Sequence, residues 1–109
     1  MLLNRDRIIL QKVLEEIAHL EQMTKGLNEA DFIANNEKKK ACAMTFINIG
    51  ELVKNLSKVI ISAPNFPYNE MRGLRHVAAH EYYALRFADV WHTIQNDIPT
   101  LKKQIKSFF

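Results

Sequence analysis

The sequence predicts an all-α fold: a small bundle of four to five helices with a long middle helix, in a single domain of residues 1–109. Apolar residues recur at spacings of three and four along most of the chain. Only three glycines and three prolines interrupt it, too few for the turns of an all-β fold. Hydrophobic residues make up 48% and charged residues 25%, which is typical of a globular domain and excludes disordered and fibrous chains.

An apolar stripe followed by turn residues predicts the first two helices. Within residues 7–23 apolar side chains recur at steps of three and four between polar ones, as in a helix packed on one side. These side chains are Leu10, Val13, Leu14, Ile17 and Leu20. Gly26 is expected to end this helix, because glycine tolerates the left-handed backbone of a helix end. Asn28 is a suitable N-cap for a short second helix over residues 29–33.

The middle helix is predicted to be the longest, from Asn36 to Ile61. Its apolar stripe has a second flank: Cys42, Phe46, Ile49, Val53, Leu56 and Ile60, with Met44, Ile47 and Leu52 beside them. A face this broad needs more than one neighbour, so we expect a homodimer in addition to packing within the chain. The three lysines at 38–40 form either a solvated first turn or a contact for RNA.

Two prolines place a connection between the middle helix and the next one. Residues 63–67, APNFP, contain both and therefore do not continue a helix. Pro67 suits the first turn of a following helix, which we expect to run from Tyr68 to about His80.

The last helix is predicted from a narrow apolar seam over residues 87–108. The residues of the seam are Phe87, Trp91, Ile94, Ile98, Leu101, Ile105 and Phe108. Pro99 interrupts the seam and removes one backbone hydrogen bond. We therefore expect this helix to kink or to divide after Asp97.

Charge and cysteine content limit the possible partners. A formal net charge of +3 permits an anionic partner such as RNA without requiring one. Cys42 has no second cysteine with which to form a disulfide or a cysteine-based zinc site. No secretory leader opens the sequence, and no apolar run approaches the roughly 20 residues of a membrane span. We expect a cytoplasmic protein that does not bind membranes.

The segment RHVAAHEYY at 75–83 concentrates potentially reactive side chains. One interpretation is a metal site, because His76 and His80 lie four residues apart on one helical face and could share a zinc ion. A third ligand would have to come from Glu81, Asp89 or His92.

Two other interpretations pair Arg75 with His80. Both side chains could simply balance the dipole at the end of the helix. Alternatively, they could bind and cleave a phosphodiester, because arginine matches phosphate oxygens and histidine exchanges protons near neutral pH. Five residues turn an ideal helix by about 140° away from the starting face. The two side chains therefore meet only if the helix ends near Ala79, if the length of arginine spans the gap, or if both subunits of a dimer contribute.

The pattern R-x4-H-x-Y within residues 75–82 resembles the signature of the HEPN superfamily, specifically of its HepT-like toxins. INIGELVKNLS at 47–57 is similar to the I-G-E segment of that family. VWHTIQNDIPTLKKQI at 90–105 is similar to its C-terminal stretch. The resemblance covers about residues 5–106.

The resemblance implies an all-helical homodimer that acts as a metal-independent endoribonuclease toxin without a cofactor, with two R-x4-H motifs lining a cleft at the interface. Arg75 would bind and stabilise the scissile phosphate of RNA, and His80 would be the general acid and base. Tyr82 would be the tyrosine that a cognate MNT-type nucleotidyltransferase antitoxin modifies with AMP.

Further residues are candidates for a role beside the motif. His76, Glu51 and Asn48 are possible supporting residues, and His76 stands where many relatives carry asparagine. Tyr83 is an alternative AMP acceptor next to Tyr82. A function of another class is also open: a catalytically silent helical partner that docks on a nucleotidyltransferase as its substrate or regulatory subunit.

Overall fold

The computed structural model describes residues 2–109 and confirms the all-α bundle. Within these residues four long helical stretches and two short helices form the fold, without a β-strand. A 3-10 turn at Tyr82–Ala84 follows the fifth helix, and a π-helical turn at Thr93–Asp97 joins the sixth to the seventh. The helices are α1 (Asn4–Thr24), α2 (Glu29–Ala34), α3 (Asn36–Val53), α4 (Lys58–Ile61), α5 (Tyr68–His80), α6 (Phe87–His92) and α7 (Ile98–Ser107).

The first two helices form as predicted, and α1 begins at Asn4 rather than at residue 7. Gly26 adopts a φ of +79°, the left-handed conformation that glycine reaches without steric cost. The side chain of Asn28 accepts a 2.8 Å hydrogen bond from the backbone N–H of Asp31. Asn28 is therefore the N-cap of α2, as expected.

Two of the three lysines that open α3 have partners within the chain. The ammonium of Lys38 donates a 2.8 Å hydrogen bond to the carbonyl of Met23, which satisfies one of the free carbonyls at the end of α1. The ammonium of Lys39 lies 5.0 Å from the ring centroid of Phe87, a cation–π contact. Lys40 is exposed. These lysines thus tie the start of α3 to α1 and α6.

The predicted length of the middle helix is wrong, because α3 ends at Val53 and not at Ile61. The buried carboxylate of Asp6 in α1 accepts hydrogen bonds from the backbone N–H of Ser57 at 2.9 Å and from its hydroxyl at 2.6 Å. A continuous helix would give that N–H to the carbonyl of Val53. Ile60 remains buried after the helix has ended. The spacing of apolar residues therefore does not indicate where α3 ends.

The C-terminal helix divides after Asp97, as expected from its proline. Thr93–Asp97 form the π-helical turn, and α7 begins at Ile98 with Pro99 in its first turn. A wider turn accommodates the missing N–H of proline without ending the helical backbone, which stays right-handed at Ile98. The predicted seam remains in the core through Ile94, Ile98, Leu101 and Ile105.

Helix α3 lies between α1 and α5, and the α6–α7 stretch closes the bundle against α2 and α1. The side chains with the least exposure come from these contacts: Leu10, Val13, Ile17, Leu20, Phe32, Cys42, Ile49, Val53 and Ile105. None of the helices in residues 2–109 combines the length and the apolar character that crossing a membrane requires.

Helices α3 and α5 come into close contact at Gly50. A Cβ at this position would overlap the Cβ of Arg75, and it would lie 2.7 Å from the Cγ of Arg75 and 3.1 Å from the carbonyl oxygen of Met71. These atoms belong to the backbone or to the base of a side chain, so they cannot move aside without moving α5. The contact between the two helices therefore requires glycine at position 50. By contrast, a Cβ at Gly73 would meet open space.

We predict that Gly50→Ala lowers the free energy of unfolding by about 1–3 kcal/mol, because the added methyl group forces α3 and α5 apart. Gly73→Ala is the matched control. It should raise the free energy of unfolding by about 0.5–1 kcal/mol, because alanine loses less backbone entropy in a helix. Urea unfolding followed by circular dichroism measures both values. A Gly50→Ala protein as stable as the wild type would contradict the close contact.

Candidate active site at the C-terminal end of helix α5

Arg75 and His80 lie in the last turns of α5, where the chain leaves the helix. His80 is the last helical residue, and Glu81 has φ −138° and ψ 45°, outside the helical region. The backbone N–H of Glu81 donates a 2.8 Å hydrogen bond to the carbonyl of Val77 and closes the last turn. The 3-10 turn that carries Tyr82 follows at once. All three residues of the R-x4-H-x-Y pattern therefore lie at one end of the bundle.

The structure brings Arg75 and His80 together within one subunit. The Nη1 of Arg75 lies 3.4 Å from the Nε2 of His80, so the length of the arginine side chain spans the five-residue spacing. Arginine has five N–H donors and no acceptor. The Nε2 of His80 can therefore only accept in this contact, which requires an unprotonated nitrogen. His80 is exposed, whereas the side chain of Arg75 is 25% exposed.

Glu51 in α3 holds the arginine in place. Its Oε1 lies 2.7 Å from the Nε of Arg75 and 3.3 Å from the Nη1 of Arg72, and its Oε2 lies 3.0 Å from the Nζ of Lys54. The Nε–H bond of Arg75 does not point along the 2.7 Å contact, which is a close charge pair rather than an aligned hydrogen bond. The pKa of Glu51 is lowered chiefly by the hydrogen bond from Lys54, and also by the hydrogen bond from Arg72 and the charge of Arg75. Glu51 is therefore ionised at neutral pH.

Arg72 belongs to this cluster, and the sequence interpretation missed it. In addition to its contact with Glu51, its Nη1 donates a 2.9 Å hydrogen bond to the carbonyl of Gly50. Arg72 lies three residues before Arg75 and therefore on the same face of α5, and this spacing is the signal that could have found it. With Lys54, three cations surround one carboxylate. The cluster is thus positively charged and suited to an anion.

The other two supporting candidates differ in position. Asn48 is turned toward α1, where its side-chain amide donates a 2.7 Å hydrogen bond to Glu16. The ring of His76 lies beside that of His80, with 5.0 Å between ring centroids and 50° between planes. In residues 2–109 no group of three or more histidine, cysteine, aspartate or glutamate side chains is arranged to hold a metal ion. Within these residues, none of the possible third ligands, Glu81, Asp89 and His92, therefore completes a metal site with His76 and His80.

Tyr82 and Tyr83 have different surroundings. The ring of Tyr82 packs against the ring of Phe87 at 5.7 Å and against that of Tyr83 at 5.4 Å, between centroids. Tyr83 itself is 97% exposed. Partial burial, and secondarily the neighbouring Tyr83, raise the pKa of Tyr82 above its usual value. The hydroxyl of Tyr82 is therefore protonated at neutral pH.

An open apolar cleft of about 790 Å³ runs along another face of α5. It continues from Gly73 to Leu85 and Arg86, which follow the turn that carries Tyr82. Charged residues of both signs line it, Arg86 together with Glu70 and Asp89. The apolar part of the lining includes Phe46, Ile49, Leu74, Val77, Leu85 and Leu101.

Comparison with known proteins shows the family to which the chain belongs. The family model "Ribonuclease HepT-like" matches residues 13–108. A "Putative RNase" of Caldanaerobacter subterraneus subsp. tengcongensis is 34% identical over 101 residues, which cover 92% of this chain and 90% of the relative. Another "Putative RNase", of Methanocaldococcus jannaschii, is 31% identical over 101 residues, which cover 92% of this chain and 84% of the relative.

A protein of Thermococcus cleftensis named "Probable ribonuclease HepT" is 29% identical over 94 residues, which cover 85% of this chain and 86% of that protein. The comparison with solved structures finds no significant match. The family model spans nearly the whole chain, and the relatives match over most of their own length. The resemblance expected from the R-x4-H-x-Y pattern is thereby confirmed at the level of the family, and the chain belongs to the HepT-like ribonucleases.

Proposed function

We propose that this protein is a metal-independent endoribonuclease toxin. In the cleavage reaction, a 2′-hydroxyl group of the RNA attacks the adjacent phosphate of the same strand. The observation that carries the proposal is the 3.4 Å approach of Arg75 to His80 within a cluster in which cations outnumber the single carboxylate. Membership of the HepT-like ribonuclease family supports RNA as the substrate. The names of its relatives support the same substrate.

The chemistry needs charge stabilisation and proton transfer. Arg75, held at Nε by Glu51, offers its terminal nitrogens to the phosphate oxygens, because a planar guanidinium matches them in a bidentate fashion. His80 faces the same guanidinium with the lone pair of Nε2 and takes the proton of the 2′-hydroxyl. The 2′-oxygen attacks the adjacent phosphorus, the bond to the 5′-oxygen breaks, and that oxygen takes a proton from His80, which acts first as base and then as acid. The products are a 2′,3′-cyclic phosphate and a free 5′-hydroxyl end.

The protein acts as a homodimer in this proposal, and the second copy occupies the apolar cleft along α5. The cleft has apolar walls and is lined by charges of both signs, so opposite charges of two copies can pair across a two-fold axis. The cleft reaches Leu85 and Arg86, directly after Tyr82. A second copy seated there lies next to the turn of the motif.

Control by an MNT-type nucleotidyltransferase antitoxin completes the proposal. The oxygen of Tyr82 attacks the α-phosphorus of ATP, pyrophosphate leaves, and a base on the antitoxin takes the phenolic proton. This base is needed because a tyrosine hydroxyl is protonated at neutral pH, and partial burial raises the pKa of Tyr82 further. The adenylyl group adds bulk and negative charge beside the cationic cluster and repels RNA.

We predict that the wild-type protein cleaves RNA in the presence of a chelator and leaves 2′,3′-cyclic phosphate ends. Arg75→Ala and His80→Ala should each lower the cleavage rate by about 10²–10⁴-fold, because each removes charge stabilisation or proton transfer. Arg5→Ala and His19→Ala, which change exposed residues of α1, are the matched controls and should cleave at the wild-type rate. End-group analysis of the fragments measures the result. RNA left equally intact by all proteins would instead favour the catalytically silent partner of a nucleotidyltransferase.

We predict a dimeric mass for the wild type in sedimentation equilibrium and a largely monomeric mass for Gly73→Gln. Gly73 lines the cleft, and a side chain added there meets open space within the subunit. Glutamine should therefore leave the fold intact and obstruct the second copy. Gly73→Ala, which adds only one methyl group, should remain dimeric. A Gly73→Gln protein that dimerises like the wild type would remove the cleft from the interface.

We predict that a cognate antitoxin with ATP adds AMP to the wild type and to Tyr83→Phe, but not to Tyr82→Phe. The two variants differ from each other only in which neighbouring hydroxyl is missing, so each controls for the other. Intact-mass spectrometry measures the added AMP, and RNA cleavage should decrease in step with it. Modification that persists in Tyr82→Phe and disappears in Tyr83→Phe would move the acceptor to Tyr83.

A further inference from the structure

The three cations around Glu51 are not all used by the proposed reaction. The Nε of Arg75 pairs with Glu51 at 2.7 Å, and its Nη1 lies 3.4 Å from His80, so this arginine serves the scissile phosphate. Arg72 and Lys54 contact the same carboxylate but do not take part in that chemistry. One carboxylate cannot neutralise three cations. Positive charge therefore remains on Arg72 and Lys54, beside the place where the RNA is cut.

Arg72 keeps hydrogen-bond donors available for an anion. Its Nη1 makes both of its contacts, at 2.9 Å to the carbonyl of Gly50 and at 3.3 Å to Glu51. Within residues 2–109 its Nε and its Nη2 have no hydrogen-bond partner, and solvent reaches both. A guanidinium is rigid and planar, so fixing one nitrogen also fixes the direction of the others. Arg72 can therefore bind an anion without giving up its contacts with α3.

Lys54 offers a second charge from the opposite helix. Its ammonium donates a 3.0 Å hydrogen bond to the Oε2 of Glu51, and because an ammonium has three donors, others remain for a ligand. The side chain is exposed. Neither Lys54 nor Arg72 lines the apolar cleft in which the second copy is placed. A dimer formed through that cleft would leave both cations accessible.

The position of Arg72 relative to Arg75 suits two consecutive phosphates of one strand. Residues three apart on a helix lie on the same face, with about 5–6 Å between their Cβ atoms. Neighbouring phosphates in RNA are separated by a single sugar, which is a comparable span. His80 follows Arg75 along α5, and Arg72 precedes it. A strand with its scissile phosphate at Arg75 and His80 therefore brings an adjacent phosphate to Arg72 and Lys54.

We propose that Arg72 and Lys54 form a second phosphate-binding subsite, for the phosphate next to the scissile one, and this inference rests on the proposed ribonuclease function. No bond is made or broken at this subsite. It holds the strand across Arg75 and His80 in the ground state and in the transition state alike, so it lowers KM and leaves kcat nearly unchanged. Contacts with phosphate carry no sequence information. The subsite therefore adds affinity without a preference for particular bases.

The test uses substrates that lack one chosen charge. Each is an oligodeoxynucleotide with a single ribonucleotide at a position that the wild type cleaves. An uncharged methylphosphonate replaces the phosphate on the 5′ side of the scissile one, the phosphate on its 3′ side, or a phosphate far along the strand. Each methylphosphonate follows a deoxynucleotide, so no 2′-hydroxyl can attack it. Values of kcat and KM are measured in the presence of a chelator and compared with those for the fully charged substrate.

The expected pattern links one phosphate to one side chain. One of the two neighbouring methylphosphonates should raise the KM of the wild type by about tenfold, because it removes hydrogen bonds between charged groups. Arg72→Gln, which retains a donor for the Gly50 carbonyl, should raise the KM of the fully charged substrate by a similar factor. In this variant the same methylphosphonate should have little further effect, because the contact is already lost. Lys54→Gln should follow the same pattern with a smaller factor.

Arg5→Gln is the matched control, because it removes an exposed cation of α1. It should respond to every substrate as the wild type does.

Two outcomes would overturn the subsite while the ribonuclease function stands. In the first, neither neighbouring methylphosphonate raises the wild-type KM more than the distant one does. In the second, Arg72→Gln weakens cleavage but keeps its full sensitivity to the methylphosphonate, which would mean that Arg72 only positions Glu51 and Arg75. A wild-type protein that cleaves no RNA would refute the proposed function itself, and the subsite with it.

Discussion

The close contact between α3 and α5 at Gly50 is the constraint on which the rest of the site depends. The base of the Arg75 side chain occupies the space that a side chain at position 50 would fill. This contact places the arginine beside Glu51, the next residue of α3, so that one carboxylate can hold the guanidinium at its Nε. The fold and the candidate chemistry thus share one steric requirement. Interdigitation of two helices, rather than a loop, positions the arginine.

The ion pairs of Glu51 determine the net charge and the order of the cluster at this contact. Glu51 binds three cations at once and cannot neutralise them all, so the cluster stays positive while each side chain remains oriented. Without the carboxylate, the cluster would carry a larger positive charge, but its side chains would be less ordered. Fixing a long cationic side chain costs rotamer entropy, and no partner would offset that cost. The aligned hydrogen bond from Arg72 to the Gly50 carbonyl adds a second tie between α3 and α5. The site therefore combines a net positive charge with fixed geometry.

Helical periodicity predicted most of the fold, because α1, α3 and α7 each bury a stripe of residues. It failed where a distant side chain competes with the helix: Asp6 lies 51 positions before Ser57 and takes its N–H, and no local pattern reports this. The candidate site was likewise predicted only in part. The R-x4-H-x-Y pattern was visible along one helix, and the contact between Arg75 and His80 followed from the length of arginine. The spacing of Arg72 and Arg75 places both on one face of α5, but the contacts of Arg72 with Glu51 and the Gly50 carbonyl depend on the packing of α3, which no local pattern reports.

The aromatic contacts around Phe87 have a spectroscopic consequence. Tyr82 touches Phe87 at 5.7 Å, Phe87 lies 6.2 Å from Phe32, and Phe32 lies 5.3 Å from Trp91, between ring centroids. The chain contains one tryptophan. A single indole fluorophore therefore stands at one end of a connected row of rings that leads to the tyrosine of the motif. Its emission reports, without an added label, on the packing around Phe32, the ring of that row that it contacts.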